Sequence, residues 1–182
     1  FINYSESKFT HQINEFGEIL VIYTSDNGGL SAIQPYIDWK REMGYHVEST
    51  QVATGTNVKT IISNAYSANP NLLYVQLVGD WPDIQCDLGG DDGVPIDPML
   101  GDVLGSDRFP ELMIGRFSAD SETDVVTQVN KTIAYEKTPD LGGTWYSKGL
   151  GIGSPEGGPG TGDDDEYDYE QVDVIKDYKL LP

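Results

Sequence analysis

Three carboxylates, Asp80, Asp107 and Glu111, are the residues whose type and spacing best suit chemistry in this sequence. Asp80 ends the apolar run LLYVQLVGD, which suits a strand buried on both faces of a parallel sheet. Open α/β sheets place their ligand crevices at the carboxyl ends of such strands. Asp107 falls in the turn Gly105-Ser106-Asp107, and Glu111 follows within GDVLGSDRFPELMIGRFS. This segment is predicted to be hairpin-like, with residues 112–117 as its second arm. Calcium takes 6–8 oxygen ligands and mixes carboxylates with backbone carbonyls. The residues alone leave two readings: the three acids converge on Ca2+ beside one sheet edge, or each is a solvated acid at a strand end or turn. Asp91 and Asp92, in the Gly/Pro/Asp-rich stretch DLGGDDGVPID, belong to a loop expected to face solvent.

Other reactive side chains are poorly placed. His11 sits in a polar opening segment, and His46 lies inside a strand of alternating character. Cys86 has no activator nearby in sequence, and the charge of adjacent Asp87 would raise rather than lower a thiol pKa. No Ser-His-Asp or Cys-His set assembles, and no Cys/His spacing of a zinc site is present. SPEGGPGTG is rich in glycine but has no phosphate-loop lysine, and acids follow it.

The elements that must position these groups follow a βαβαβ order. Residues 18–24 (EILVIYT) read as a buried strand, and 30–43 as a helix with Leu30, Ile33 and Ile37 at helical spacing. Gly44 stands where a C-cap glycine belongs. Residues 45–52 read as a half-exposed strand, 58–68 as a helix ended by Asn69-Pro70, and 72–78 as the third strand. Right-handed crossovers place such helices on the faces of a parallel sheet. Ser121-Glu122-Thr123-Asp124 is a capping-box variant that opens a helix to about residue 136, with Val125, Val129, Thr132 and Ile133 inward. Asp140-Leu141-Gly142-Gly143 marks a boundary. Beyond it, 148–153 is predicted as a strand and 169–181 as a helix with Val172 and Ile175 inward. One strand and one helix cannot bury both faces of the strand. This second unit is expected to need more chain or a partner.

Composition sets outer limits. The chain has 182 residues, 38% of them apolar, enough for a sizeable core. A formal net charge of −19 argues against nucleic-acid or anionic-membrane partners. No stretch has the roughly 18 apolar residues of a membrane span. With a single cysteine there is no internal disulfide. The first residue is not Met and no signal-like segment precedes the fold, so a mature or excised piece is expected.

Several blocks carry a family resemblance: LVGD, IDPMLGDVLGSDRFPELMIGRFSADS, the helix ending in KTIAYEK, GIGSPEGGPG and the earlier IQPYIDWKREMGYHVE. In these the chain resembles the gingipains, secreted bacterial cysteine endopeptidases, from about Glu18 onward. The resemblance implies a caspase-like α/β fold: a three-layer, parallel-sheet βαβ subdomain with a hairpin, followed by the start of a second α/β subdomain. Residues 1–143 would be the first subdomain and 144–182 the incomplete beginning of the second. The family's catalytic His and Cys have no counterpart here, so the fragment alone is expected to be inactive. Glu156 matches the glutamate that orients the catalytic histidine. Asp80, Asp107 and Glu111 match calcium ligands, and Leu104 and Phe109 fall where backbone carbonyls complete the shell. The register of residues 163–168, where the family carries its specificity acid, stays ambiguous. The implied partners are the remainder of the catalytic domain and a peptide or protein substrate. The implied location is secreted or on the cell surface.

The alternative is a non-enzymatic acidic α/β module, calcium-dependent or receiver-like, with Asp80 as phosphoacceptor. A receiver also wants an acidic pair after its first strand and a lysine after its fifth. Only Asp26 and the misplaced Lys148 are available.

Overall fold

The computed structural model describes residues 16–89, 93–105, 107–160 and 165–180. Most of the opening segment, with His11, and also Ser106, Asp91, Asp92 and residues 161–164, lie outside the described residues. The chain divides into two compact units, one ending at Pro139 and one beginning at Asp140.

The first unit is built on a four-stranded sheet. β1 (Glu18–Tyr23), β2 (His46–Gln51), β3 (Leu72–Val78) and β4 (Met113–Phe117) lie in the order β2-β1-β3-β4. Every pairing is parallel. β1 is central and every one of its residues is buried. Its alternation divides the core: Ile19, Val21 and Tyr23 face one way, Leu20 and Ile22 the other. Helices α1 (Gly29–Glu42) and α3 (Glu122–Lys137) cover the first face, through Ile33, Ile37, Val125 and Val129. Helix α2 (Lys59–Ala68) and a 3-10 turn over Asp97–Gly101 cover the second, through Ile62 and Leu100. The result is the three-layer parallel α/β architecture. Each fully buried aliphatic side chain contributes about 1.5–3 kcal/mol.

Local signals explain where the helices begin and end. The Ser121 hydroxyl accepts the Asp124 N–H and donates to the Asp124 carboxylate, so the cap of α3 forms as predicted. Gly44, at φ 103°, follows the end of α1. The inward face of α1 is shifted from the expected one: Ala32, Ile33, Tyr36 and Ile37 are buried, whereas Leu30 is exposed.

Two expectations fail in this unit. The segment 101–118 does not form a hairpin. Residues 102–105, in the expected first arm, carry no strand, and the second arm becomes β4, hydrogen-bonded parallel to β3. The stretch 81–97 is also more ordered than its composition suggests. Ile84–Gln85 pairs with Thr56–Asn57, Leu88–Gly89 pairs with Val94–Pro95, and Ile84 and Cys86 are buried in the second-face core.

The second unit contains a 3-10 turn (Thr144–Ser147) and helix α4 (Asp168–Ile175), continued by a π turn over Lys176–Leu180. The strand expected at 148–153 does not form. Leu150 and Ile152 are 87% and 84% exposed, and no strand lies beside them to satisfy their backbone.

Candidate functional site

The carboxyl end of the sheet is a packed surface. Gly79 leaves β3 at φ 132°, and a Cβ there would stand 3.2 Å from both Asn27 Nδ2 and Asp83 Cβ. Above it the buried Asn27 donates to Asp83 Oδ2 at 2.7 Å, joining the loops that follow β1 and β3. These two strands flank the switch point where doubly wound sheets open a crevice. Here a side-chain hydrogen bond spans that position.

Asp80 lies beside this pair. Its Oδ1 accepts from Ser118 Oγ at 2.7 Å and from Trp81 N at 2.9 Å. The Ser118 hydroxyl, then the Trp81 N–H, and more weakly the charge of Arg116, hold its carboxyl below the ordinary range. Arg116 itself forms a two-pronged pair with Asp97, both contacts at 2.7 Å, and donates to Gly79 O at 2.9 Å. Its guanidinium likewise lowers the Asp97 pKa.

Asp107 and Glu111 stand elsewhere. Gly101 O accepts from Glu111 N and Leu112 N, closing a loop just before β4. A Cβ on Gly101 would come within 2.4 Å of Leu112 O, so only glycine allows this approach. Glu111 Oε2 accepts from Val103 N and Leu104 N at 2.9 and 3.0 Å, and these two bonds lower its pKa. Asp107 Oδ1 accepts from Phe109 N at 2.9 Å. The side chains of Leu104 and Phe109 are exposed.

The parallel pairing fixes the distance between the two groups of acids. Met113 aligns with Tyr74 near the start of β3, and Asp80 N reaches Ala119 O beyond the end of β4. The five residues of β4 therefore stand between Glu111 and Asp80. At about 3.3 Å per residue this is roughly 16 Å. One ion with oxygen ligands at about 2.3–2.6 Å cannot touch both. The expected Asp80–Asp107–Glu111 set, with the Leu104 and Phe109 carbonyls, does not assemble around a single calcium. The hairpin expectation had placed both groups at one edge, and the parallel strand removes it.

Cys86 is 3% exposed. Burial, then the neighbouring Asp97 carboxylate, push its thiol pKa up. It is a free thiol within the second-face core. Glu156, in the second unit, is exposed. Its N–H donates to Ser154 Oγ and its carbonyl accepts from Asp168 N, which ties the SPEGG turn to the start of α4. No nucleophile–imidazole pair is formed among the described residues. The Arg116–Asp97 and Asn27–Asp83 pairs escaped the sequence reading, because each joins separate elements, β4 to the 3-10 turn and the loop after β1 to the loop after β3.

A parallel sheet covered by helices on both faces, with a tightly bonded carboxyl end, defines an α/β domain. The chain belongs to peptidase family C25, whose model matches residues 14–180. It is 33% identical over 183 residues to gingipain R2 of Porphyromonas gingivalis, covering 96% of this chain and 24% of that protein. Among solved structures it is similar to a complex of the pro- and mature domains of P. gingivalis RgpB. There the TM-score is 0.72 at 32% identity, over 88% of this chain and 38% of that one. It is also similar to the Arg-specific cysteine proteinase gingipain R, with a TM-score of 0.67 at 30% identity, over 92% and 39% of the two chains. The chain thus spans about a quarter of the length of that curated relative.

Proposed function

We propose that this chain is the opening part of the catalytic domain of a secreted bacterial cysteine endopeptidase. It supplies the scaffold and one positioning residue, Glu156. The nucleophilic cysteine and the histidine base come from the remainder of the domain. The observation that carries this reading is the family match over residues 14–180, joined to a chain whose one cysteine is buried with a raised pKa. In the complete enzyme a thiolate attacks a peptide carbonyl and the histidine transfers the proton, forming an acyl-enzyme that water then releases. The Glu156 carboxylate would accept from the imidazole and keep it oriented toward the thiol. Peptides or proteins are the substrates. The Asp80–Asp107–Glu111 set is not part of this reading, because Asp80 and Glu111 stand at opposite ends of β4.

The test uses the protein extended past Pro182 beside a polypeptide of these 182 residues. The extended protein should cleave peptide substrates, be inactivated by thiol alkylation, and keep its activity in Cys86→Ala. The shorter polypeptide should show no turnover. Glu156→Gln should lower kcat more than it changes KM and move the acidic limb of the pH–rate profile. Loss of activity in a folded Cys86→Ala variant would overturn the assignment.

A further inference from the structure

At the amino end of the sheet, on the face covered by α2, one cluster is absorbed by nothing described above. β1 and β2 are aligned so that Glu18 stands opposite His46. Side chains two apart on a strand share a face, so His46 and Glu48 project together while Val47 between them is buried in the other core. One ligand atom from each of Glu18, His46 and Glu48 lies within 4.8 Å of the other two. His46 Nδ1 is 3.0 Å from Glu18 Oε2.

Glu18 separates this cluster from an ordinary patch of surface acids. It is 4% exposed, at the first residue of the central strand, where the β1–β3 register shifts. Irregularities of this kind re-aim a side chain. Its carboxylate is reached by the Asn69 amide from the end of α2 and by His46, and among the described residues no lysine or arginine pairs with it. A buried carboxylate is costly unless it is paired or coordinates a metal.

We propose that Glu18, His46 and Glu48 form a binding site for a first-row divalent cation of the zinc type. An imidazole nitrogen with two carboxylate oxygens suits Zn2+ better than Ca2+ or Mg2+, which prefer all-oxygen shells. Tetrahedral zinc bonds of about 2.0–2.2 Å set ligand atoms about 3.4 Å apart, between the 3.0 Å of the His46–Glu18 pair and the 4.8 Å that bounds the cluster, with water as the fourth ligand. Asn69 holds Glu18 from behind, as outer hydrogen bonds orient metal ligands. Bound there, the ion would fasten the edge strand β2 to the central strand.

Zn2+ titration of the wild-type chain, followed by calorimetry and thermal unfolding, tests this against His46→Ala and Glu48→Gln. Both variants change exposed side chains, so their folding is checked simply by circular dichroism. The wild type should bind one equivalent more than His46→Ala. Free zinc a hundredfold above the dissociation constant should raise its Tm by roughly 5–10 °C. Glu48→Gln should weaken binding about tenfold or more, and millimolar Ca2+ should not compete. Zinc binding equal in wild type and His46→Ala would overturn the site. So would binding that Glu48→Gln leaves unchanged, which would mean a lone surface histidine, and so would displacement by Ca2+.

Discussion

The two units of this chain contain similar strand-like stretches with opposite fates. EILVIY becomes β1, buried along its whole length between β2 and β3. Residues 148–153 hold Leu150 and Ile152, yet form no strand and leave both side chains in solvent. Apolar residues and permissive backbone are present in each. The difference lies in the neighbours: β1 has a ladder on both sides and helices on both faces, whereas 148–153 has no ladder. Strand propensity expresses a fit to a half-built surface, and without that surface it specifies little.

Core truncation should separate the units most sharply. In a polypeptide of these 182 residues, Leu77→Ala, at a fully buried position of β3, should cost about 2–5 kcal/mol in urea unfolding. Ile152→Ala should fall within about 0.5 kcal/mol of wild type. In the protein extended past Pro182 the second cost should grow by several-fold. A large cost already in the shorter polypeptide would mean that the second unit has a core of its own.

A smaller effect is expected at the cap of α3. Ser121→Ala should lose about 1 kcal/mol, read from the same unfolding curves. The helix of the second unit has its own cap, in which Tyr167 N donates to Glu170 Oε2. Glu170→Ala should therefore lower helicity near 168–175 without moving the main unfolding transition.

Acid titration reports on the first unit. Asp80 and Asp97 both have lowered pKa values in the folded first unit. Carboxylates of this kind add stability above their unfolded pKa, about 3.9, and lose it as pH falls through the lower folded value. Stability of the first unit should decline below about pH 4. Removing the donor by Ser118→Ala should raise the Asp80 pKa and shrink that decline. Carbon-detected NMR of the carboxyl groups would follow it directly.

The smallest effect expected is a coupling of zero. Asp80→Ala and Glu111→Ala should change Tm independently, and the double variant should show their sum, with calcium or with chelator, because the sites are separated by the length of β4. A calcium-dependent coupling would restore the single-site expectation.

Much of the first unit was legible in the sequence because its signals are local. Apolar runs marked β1 and β3, Gly44 marked the end of α1, and Ser121 with Asp124 marked the start of α3. The direction in which β4 pairs was not legible. A turn such as Gly105-Ser106-Asp107 before an apolar arm looks the same whether that arm folds back or joins another strand in parallel. The acids followed the same error, since their expected meeting point depended on the hairpin. The Glu18–His46–Glu48 cluster was missed for a related reason. His46 and Glu48 two apart on a half-exposed strand were a visible hint, but their alignment with Glu18 is set by strand pairing across 28 residues of chain.

The strand order also sets a timetable for synthesis. β1 is among the first described segments to leave the ribosome, yet its second neighbour, β3, ends only at Val78. At the usual 5–20 residues per second, this fully buried strand waits roughly 3–11 s before both its edges can be paired. For that interval EILVIY is a short, β-prone, nearly uncharged segment, the kind that associates with copies of itself. The single charge at its start, Glu18, is then its main protection against aggregation on the way to the fold.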